Sequence, residues 1–226
     1  MPAAKRTKHV SGAEGTTGAD APSRYHSPLR ERQAAATRRA IIDAALGLFG
    51  EQGWAATTLP MVAARAGTSV DTIYATFGTK STLLMTVVDV AIVGDDEEAP
   101  MAQRPDFARF AEGRRHERLR TGVRYTMDVY ARSVPILDAL REAAASDPAA
   151  EERLARYGQD RRDLIAAGMA LILGEEPSDD VVDAIWALMS PEVYTYLIHG
   201  RRWPAPRVED WFVDMAKAAI ARADRP

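Results

Sequence analysis

TTLPMVAARAGTSVDTIYATFGTK, residues 57–80, is the stretch on which the fold turns. It reads as a short helix, a tight turn and a second short helix. Thr58 is placed to cap the first helix, and Pro60 is tolerated in its opening turn. Val62, Ala63 and Ala66 face inward and Gly67 makes the turn. Ser69 caps the second helix, which spans about Val70 to Phe77 and is stopped by Gly78. Small Ala63, Ala66 and Gly67 let the two helices cross closely. Ile73 and Phe77, four apart, anchor the second helix into a core.

That assignment leaves Thr68, Ser69, Val70, Asp71, Thr72, Tyr74 and Thr76 toward or around the outer face. A helix-turn-helix of this kind sets its second helix into the major groove of DNA. Short polar side chains at a helix start suit base edges and phosphates, because the free backbone N–H groups there favour anions. Threonine hydroxyls donate or accept, and Thr and Val methyl groups touch the thymine methyl. Asp71 either accepts from cytosine N4 or orders a neighbouring donor. Tyr74 reaches a phosphate through its hydroxyl. Lys80 opens the next helix, where its ammonium can pair with the DNA backbone.

Upstream, a helix runs from roughly Arg32 to Gln52. Ile41, Ala45, Leu48 and Phe49 form its apolar face, and Gly53 supplies a left-handed stop. Downstream, a helix from Lys80 carries Leu83, Leu84, Val87, Val88 and Ala91 before the acidic break Gly94–Glu98. Taken together, Ala44-Ala45-Leu46-Gly47-Leu48-Phe49, Gly53, Thr57-Thr58, Ala63-Ala64-Arg65-Ala66-Gly67, Ser69 through Phe77 and Lys80 resemble the TetR family of one-component transcriptional regulators. The resemblance covers residues 35–95. It implies phosphate contacts from Thr58, Tyr74 and Lys80, with most base contacts from Thr68 to Thr72. It also implies a homodimer on a palindromic double-stranded operator, usually repressing nearby genes and released by a small-molecule effector. Thr76 stands where many members have His, and Asp71 where a small residue is common, so an unusual operator is expected.

The resemblance divides the chain into a disordered basic tail (1–29), a helix-turn-helix domain (30–79), a connecting helix (80–98) and a ligand-binding and dimerisation domain (99–226). The tail is rich in Gly, Ala, Ser, Thr and Pro and buries too little to order. Its Lys5, Arg6, Lys8 and Arg24 can brush phosphates. Residues 1–80 hold ten Lys/Arg against six Asp/Glu, a net of +4, while the rest holds nineteen against twenty-six, a net of −7. A module that tolerates phosphates beside an acidic one is the simplest reading.

Past a Pro100–Pro105 linker the pattern stays helical. Short Asp106–Ala111 comes first, then a helix from Arg114 to Arg132 with Leu119, Val123, Met127 and Tyr130 on one stripe. Pro135 is expected to begin a new helix ending near Ser146. Further helices run from Ala149 to Leu173, from Asp179 to His199 with a break at Pro191, and from Pro206 to about Arg222. No segment alternates with period two, so the predicted fold is all-α. The stripe Val182, Ile185, Val193, Tyr196, Leu197 and the last helix's Trp211, Phe212, Met215 are the expected dimer interface. Phe110, Tyr125, Met127, Tyr130, Tyr157, Met169, Trp186 and Met189 are the candidate lining of an apolar pocket.

With 46% apolar residues the chain can build a core, and with no cysteine it has neither disulfides nor thiolate metal sites. No apolar run approaches the ~20 residues that span a bilayer, so no membrane is expected and the default location is the cytoplasm. An enzyme finds little support. His9, His26, His116 and His199 are scattered, and no HExxH, GxSxG or phosphate-loop pattern occurs. Asp95, Asp96, Glu97 and Glu98 suit a solvated loop. No catalytic residue, cofactor or metal is expected. The alternative is a helical interaction or ligand-binding module without DNA binding, which predicts no operator preference at any salt.

Overall fold

The computed structural model describes residues 28–94 and 101–223. Residues 1–27 and 95–98, to which the tail and the acidic loop were assigned, lie outside the described residues. The fold is all-α: among the described residues no strand occurs.

The first helix, α1 (Pro28–Ala56), starts earlier than the apolar pattern indicates, so Pro28 and Leu29 are helical and do not belong to the tail. At Gly53 the backbone enters the left-handed region, with φ 78 and ψ −174, and the regular helix breaks. Helix α2 (Leu59–Ala66) begins at Thr58, whose hydroxyl accepts from the Met61 N–H, and ends at left-handed Gly67. Helix α3 (Val70–Phe77) begins at Ser69, which accepts from the Thr72 N–H at 3.1 Å. Thr79 does the same for α4 (Lys80–Val93) through Thr82, at 3.0 Å. Each cap satisfies a donor that the helix start leaves free.

After a short helix, α5 (Pro105–Ala108), the chain enters α6 (Arg115–Ala144), which is the spine of the molecule. The expected break at Pro135 is corrected here: α6 runs through that proline without interruption. An internal proline costs a helix about 3 kcal/mol. Around Pro135 the residues Val134, Ile136, Leu137 and Leu140 are all buried, each stabilising by about 1.5–3 kcal/mol. Burial therefore outweighs the lost hydrogen bond, and both sides of the proline keep one helical face on the same core.

Helix α7 (Pro148–Leu173) is capped by Asp147 and stopped at left-handed Gly174. Helix α8 (Asp179–Leu188) ends where the sequence placed a break, and Ser190 caps the short α9 (Pro191–Thr195). A wide turn over Tyr196–Gly200 follows, closed by the Arg201 N–H on the Tyr196 carbonyl at 2.8 Å. Helix α10 (Ala205–Ala223) completes the chain.

Two cores result. Helices α1 to α4 close on Ile136, Leu137 and Leu140 of α6. The N-terminal half of α6 packs with the end of α7 and with α8 and α10 around Val208 and Phe212. Ile92 near the end of α4 touches both. The helix-turn-helix is thus built onto the far end of the same spine that carries the second core.

Candidate nucleic-acid interface and the cavity beside it

Ile73 and Phe77 are buried, and they turn the rest of α3 outward. Asp71 and Thr76 are exposed, and Tyr74 keeps 53% of its surface. Thr68, Val70 and Thr72 are half-buried at the turn, and Thr58 and Ser69 are exposed. The hydroxyls of Ser69 and Thr72 lie 2.8 Å apart, while that of Thr76 donates back to the Thr72 carbonyl at 2.7 Å. The face is polar, small in relief and centred on one aromatic ring. An exposed tyrosine on a well-packed helix has no structural task here, which makes it a contact candidate.

Lys80 sits differently from the other eight predicted contact residues. Its ammonium donates to the Trp54 carbonyl at 2.5 Å and lies 3.9 Å from the centre of the Trp54 ring. Burial lowers its pKa, and the nearby Glu142 carboxylate partly offsets that. Glu142 itself accepts from the Trp54 and Ala55 N–H groups at 2.7 and 3.2 Å. The amides freed by the break at Gly53 are thus met by a carboxylate from α6. Lys80 therefore ties the start of α4 to the end of α1. Arg38, which the motif did not single out, lies over the Phe77 ring at 4.8 Å and places a guanidinium beside the end of α3. Only the fold brings that arginine to the face, since it lies some forty residues upstream on α1.

Behind α4 lies a cavity of about 610 Å³ between α4, α6 and α7. Of the eight residues proposed for its wall, Phe110, Tyr125, Tyr130, Tyr157, Met169 and Met189 line it. Met127 and Trp186 do not. Met127 is buried in the second core away from the cavity wall. Trp186 lies on the outer side of α8, where its indole N–H donates to the Gly158 carbonyl at 3.1 Å and Arg161 stacks on its ring. The sequence reading missed Asp89, Ile92 and Val93 of α4 and Arg153, Arg161 and Gly168 of α7. Gly168 carries the one usable signal, a small residue on an apolar face: a Cβ there would meet Phe110 at 3.5 Å.

Several polar groups of the cavity are held by partners, while Arg153 Nη1 is buried without a hydrogen bond. Arg153 donates to Asp89 at 2.7 Å, with Asp160 at 3.8 Å. Arg161 donates to the Trp186 carbonyl at 2.8 Å and reaches the Tyr130 hydroxyl at 3.4 Å. Tyr130 donates to the Met189 carbonyl at 2.6 Å, and burial pushes its pKa up to about 12. At the end of α4, Arg132 from α6 meets the Ala91 and Ile92 carbonyls at 3.0 and 2.8 Å. The last turn of α4 is thus held from α6, and the cavity wall continues into the helix that carries the helix-turn-helix.

The expected dimer residues divide. Val182, Ile185, Leu197 and Phe212 are buried in their own subunit, which corrects their assignment to an interface. Ile185, Leu197 and Phe212 belong to the second core, so the fold itself uses them. Tyr196 is 62% exposed, and Val193, Trp211 and Met215 are half-buried. His116 is exposed beside Glu117. Among the described residues no group of three or more His, Asp or Glu is placed to hold a metal ion, and no single helix is long and apolar enough to cross a membrane.

Residues 41–87 match the family of bacterial regulatory proteins described as the tetR family. No curated protein matches the chain. Three solved structures share the fold. A protein of Mesorhizobium loti MAFF303099 assigned to the TetR-family regulators is 18% identical, with a TM-score of 0.61 over 84% of this chain and 97% of that one. A TetR-family transcriptional regulator from Streptomyces coelicolor is 22% identical, with a TM-score of 0.58 over 82% and 83%. A TetR-like transcriptional regulator from Rhodococcus sp. RHA1 is 16% identical, with a TM-score of 0.53 over 82% and 96%. Residues 41–87 thus match the model of the tetR family of bacterial regulatory proteins, and the chain around them shares the all-helical fold of solved TetR-family regulators.

Proposed function

We propose that the protein is a sequence-specific transcriptional regulator that represses from a palindromic operator as a homodimer and is released by a small molecule. The observation that carries this reading is the outward face of α3. Ile73 and Phe77 hold that helix down, and Tyr74 stands on it with more than half its surface free. Thr58, Ser69 and Asp71 border that face and are exposed. One such face makes few contacts, and pairing two of them on two half-sites multiplies specificity. Tyr196, Trp211 and Met215 supply accessible apolar surface in the C-terminal region for that pairing.

Release follows from the cavity. Its wall includes Asp89, Ile92 and Val93 of α4, and α4 also packs on α3. A ligand that binds better to one tilt of α4 than to another shifts the spacing of the two recognition helices. It does so only by that difference in affinity.

The test is selection of bound duplexes from a random pool. The expected result is an enriched inverted repeat whose affinity falls steeply with salt. A protein that remains monomeric, or that retains no duplex at low ionic strength, contradicts the proposal.

A further inference from the structure

Docking onto a duplex needs cations that can meet phosphate oxygens. Six Lys/Arg lie on α1 to α4: Arg30, Arg32, Arg38, Arg39, Arg65 and Lys80. Three of them are engaged within the domain. Arg39 pairs with Asp43 at 3.0 Å, one turn on. Arg65 donates from one nitrogen to both oxygens of Glu51, at 2.9 and 3.0 Å. Lys80 is turned onto the Trp54 carbonyl and ring. Arg30 and Arg32 stand on residues 29–36 of α1, which are exposed throughout, so no packing fixes where those two cations point.

Arg38 is both placed and unpaired. Among the described residues no carboxylate lies within ion-pair distance of it. Its guanidinium carbon is 4.8 Å from the centre of the Phe77 ring, and the residue is half-buried. Phe77 is buried, so the ring is a fixed platform for the cation. A guanidinium already held in place loses little freedom when it meets a phosphate, and its planar fork suits two phosphate oxygens. Phe77 is also the last residue of α3, the helix whose outward face carries Tyr74 and Thr76. Asp71, which would repel a phosphate, sits at the opposite end of that helix, about 9 Å of rise away.

We infer that Arg38 of α1 is the cation that binds an operator phosphate beside α3, and that Lys80 is not. This rests on the reading of α3 as the helix that enters the groove.

Salt titrations of the full-length protein on the selected operator and on a scrambled duplex of the same length test it. Arg38→Met keeps an apolar stem over Phe77 and removes the charge. It is expected to weaken binding to both duplexes alike, by about tenfold, and to lower the slope of log affinity against log salt by about 0.9 per protomer. Arg38→Lys is expected to restore most of that slope, and Lys80→Met to keep the parent's. A merely structural task for Arg38, such as a cation at the negative end of α3, lowers the melting temperature of Arg38→Met and leaves the slope as it was. That result overturns the inference, and so does a slope that falls for Lys80→Met as it does for Arg38→Met. Arg38→Gln carries the same expectation should the methionine variant not fold. A parent protein that binds neither duplex fails the DNA-binding reading itself, whereas a parent that binds while Arg38→Met keeps its slope removes Arg38 alone.

Discussion

Arg153 of α7 holds Asp89 of α4 at 2.7 Å, and the two side chains differ sharply in setting: the arginine keeps 14% of its surface and the aspartate 60%. The pair fastens the helix that carries the helix-turn-helix to the wall of the cavity. Its two ends are expected to respond unequally. Asp89→Asn should lower the unfolding free energy by less than about 1 kcal/mol, since an exposed carboxylate is readily replaced by water. Arg153→Ala should cost about 2 kcal/mol or more, because it removes a buried stem and leaves space behind. Urea unfolding of both variants measures this, and equal losses would contradict it.

Tyr74 is expected to matter for DNA and not for folding. The residue is 53% exposed on a helix already anchored by Ile73 and Phe77. Tyr74→Ala should leave the melting temperature within a degree or two and the oligomeric state unchanged. Affinity for the selected operator should drop about tenfold, the effect of roughly 1.4 kcal/mol of lost contact. A folded variant that binds the operator as tightly as before removes this residue from the interface.

Gly53 is a sensitive point of the junction. Its φ of 78 disfavours a side chain, and a Cβ there would come within 2.7 Å of Glu142 Oε2. Gly53→Ala should cost about 1–2 kcal/mol from the left-handed backbone and displacement of Glu142. Displacing Glu142 also frees the Trp54 and Ala55 amides it accepts from. Hydrogen exchange at those two amides is expected to speed up in the variant. Unchanged protection would show that Glu142 is not their partner in solution.

Acid should weaken the contact between α6 and α10. Burial pushes the Glu209 pKa upward, but hydrogen bonds from Arg124 and Arg120 outweigh that and hold it below its ordinary 4.5. A carboxyl depressed in the folded state stabilises fully above its unfolded value and loses that contribution as pH falls through the folded one. Glu209→Gln should therefore be less stable than the parent at pH 7, with the gap closing below pH 4.5. Thermal melts across that range read the gap directly. A gap that stays constant into acid would mean the charge of Glu209 is not what holds α10.

The local elements of this protein were legible in its sequence because their signals are themselves local. Thr58 and Ser69 accept from N–H groups three residues on, and Gly53, Gly67 and Gly174 adopt the left-handed backbone that ends a helix. Ile73 and Phe77 fall on one buried face by spacing alone. What the tertiary structure decided is which neighbour covers each face. Pro135 stays inside one helix because Ile136 and Leu137 are buried in the core completed by α1 to α4. Val182, Ile185 and Phe212 are spent on the subunit's own core, and Trp186 turns away from the cavity onto Arg161. Lys80 folds inward onto Trp54, and Arg153 finds Asp89 sixty-four residues away. Periodicity fixes the direction in which a side chain points relative to its own helix. The groups it meets there come from distant segments, and only packing brings them together.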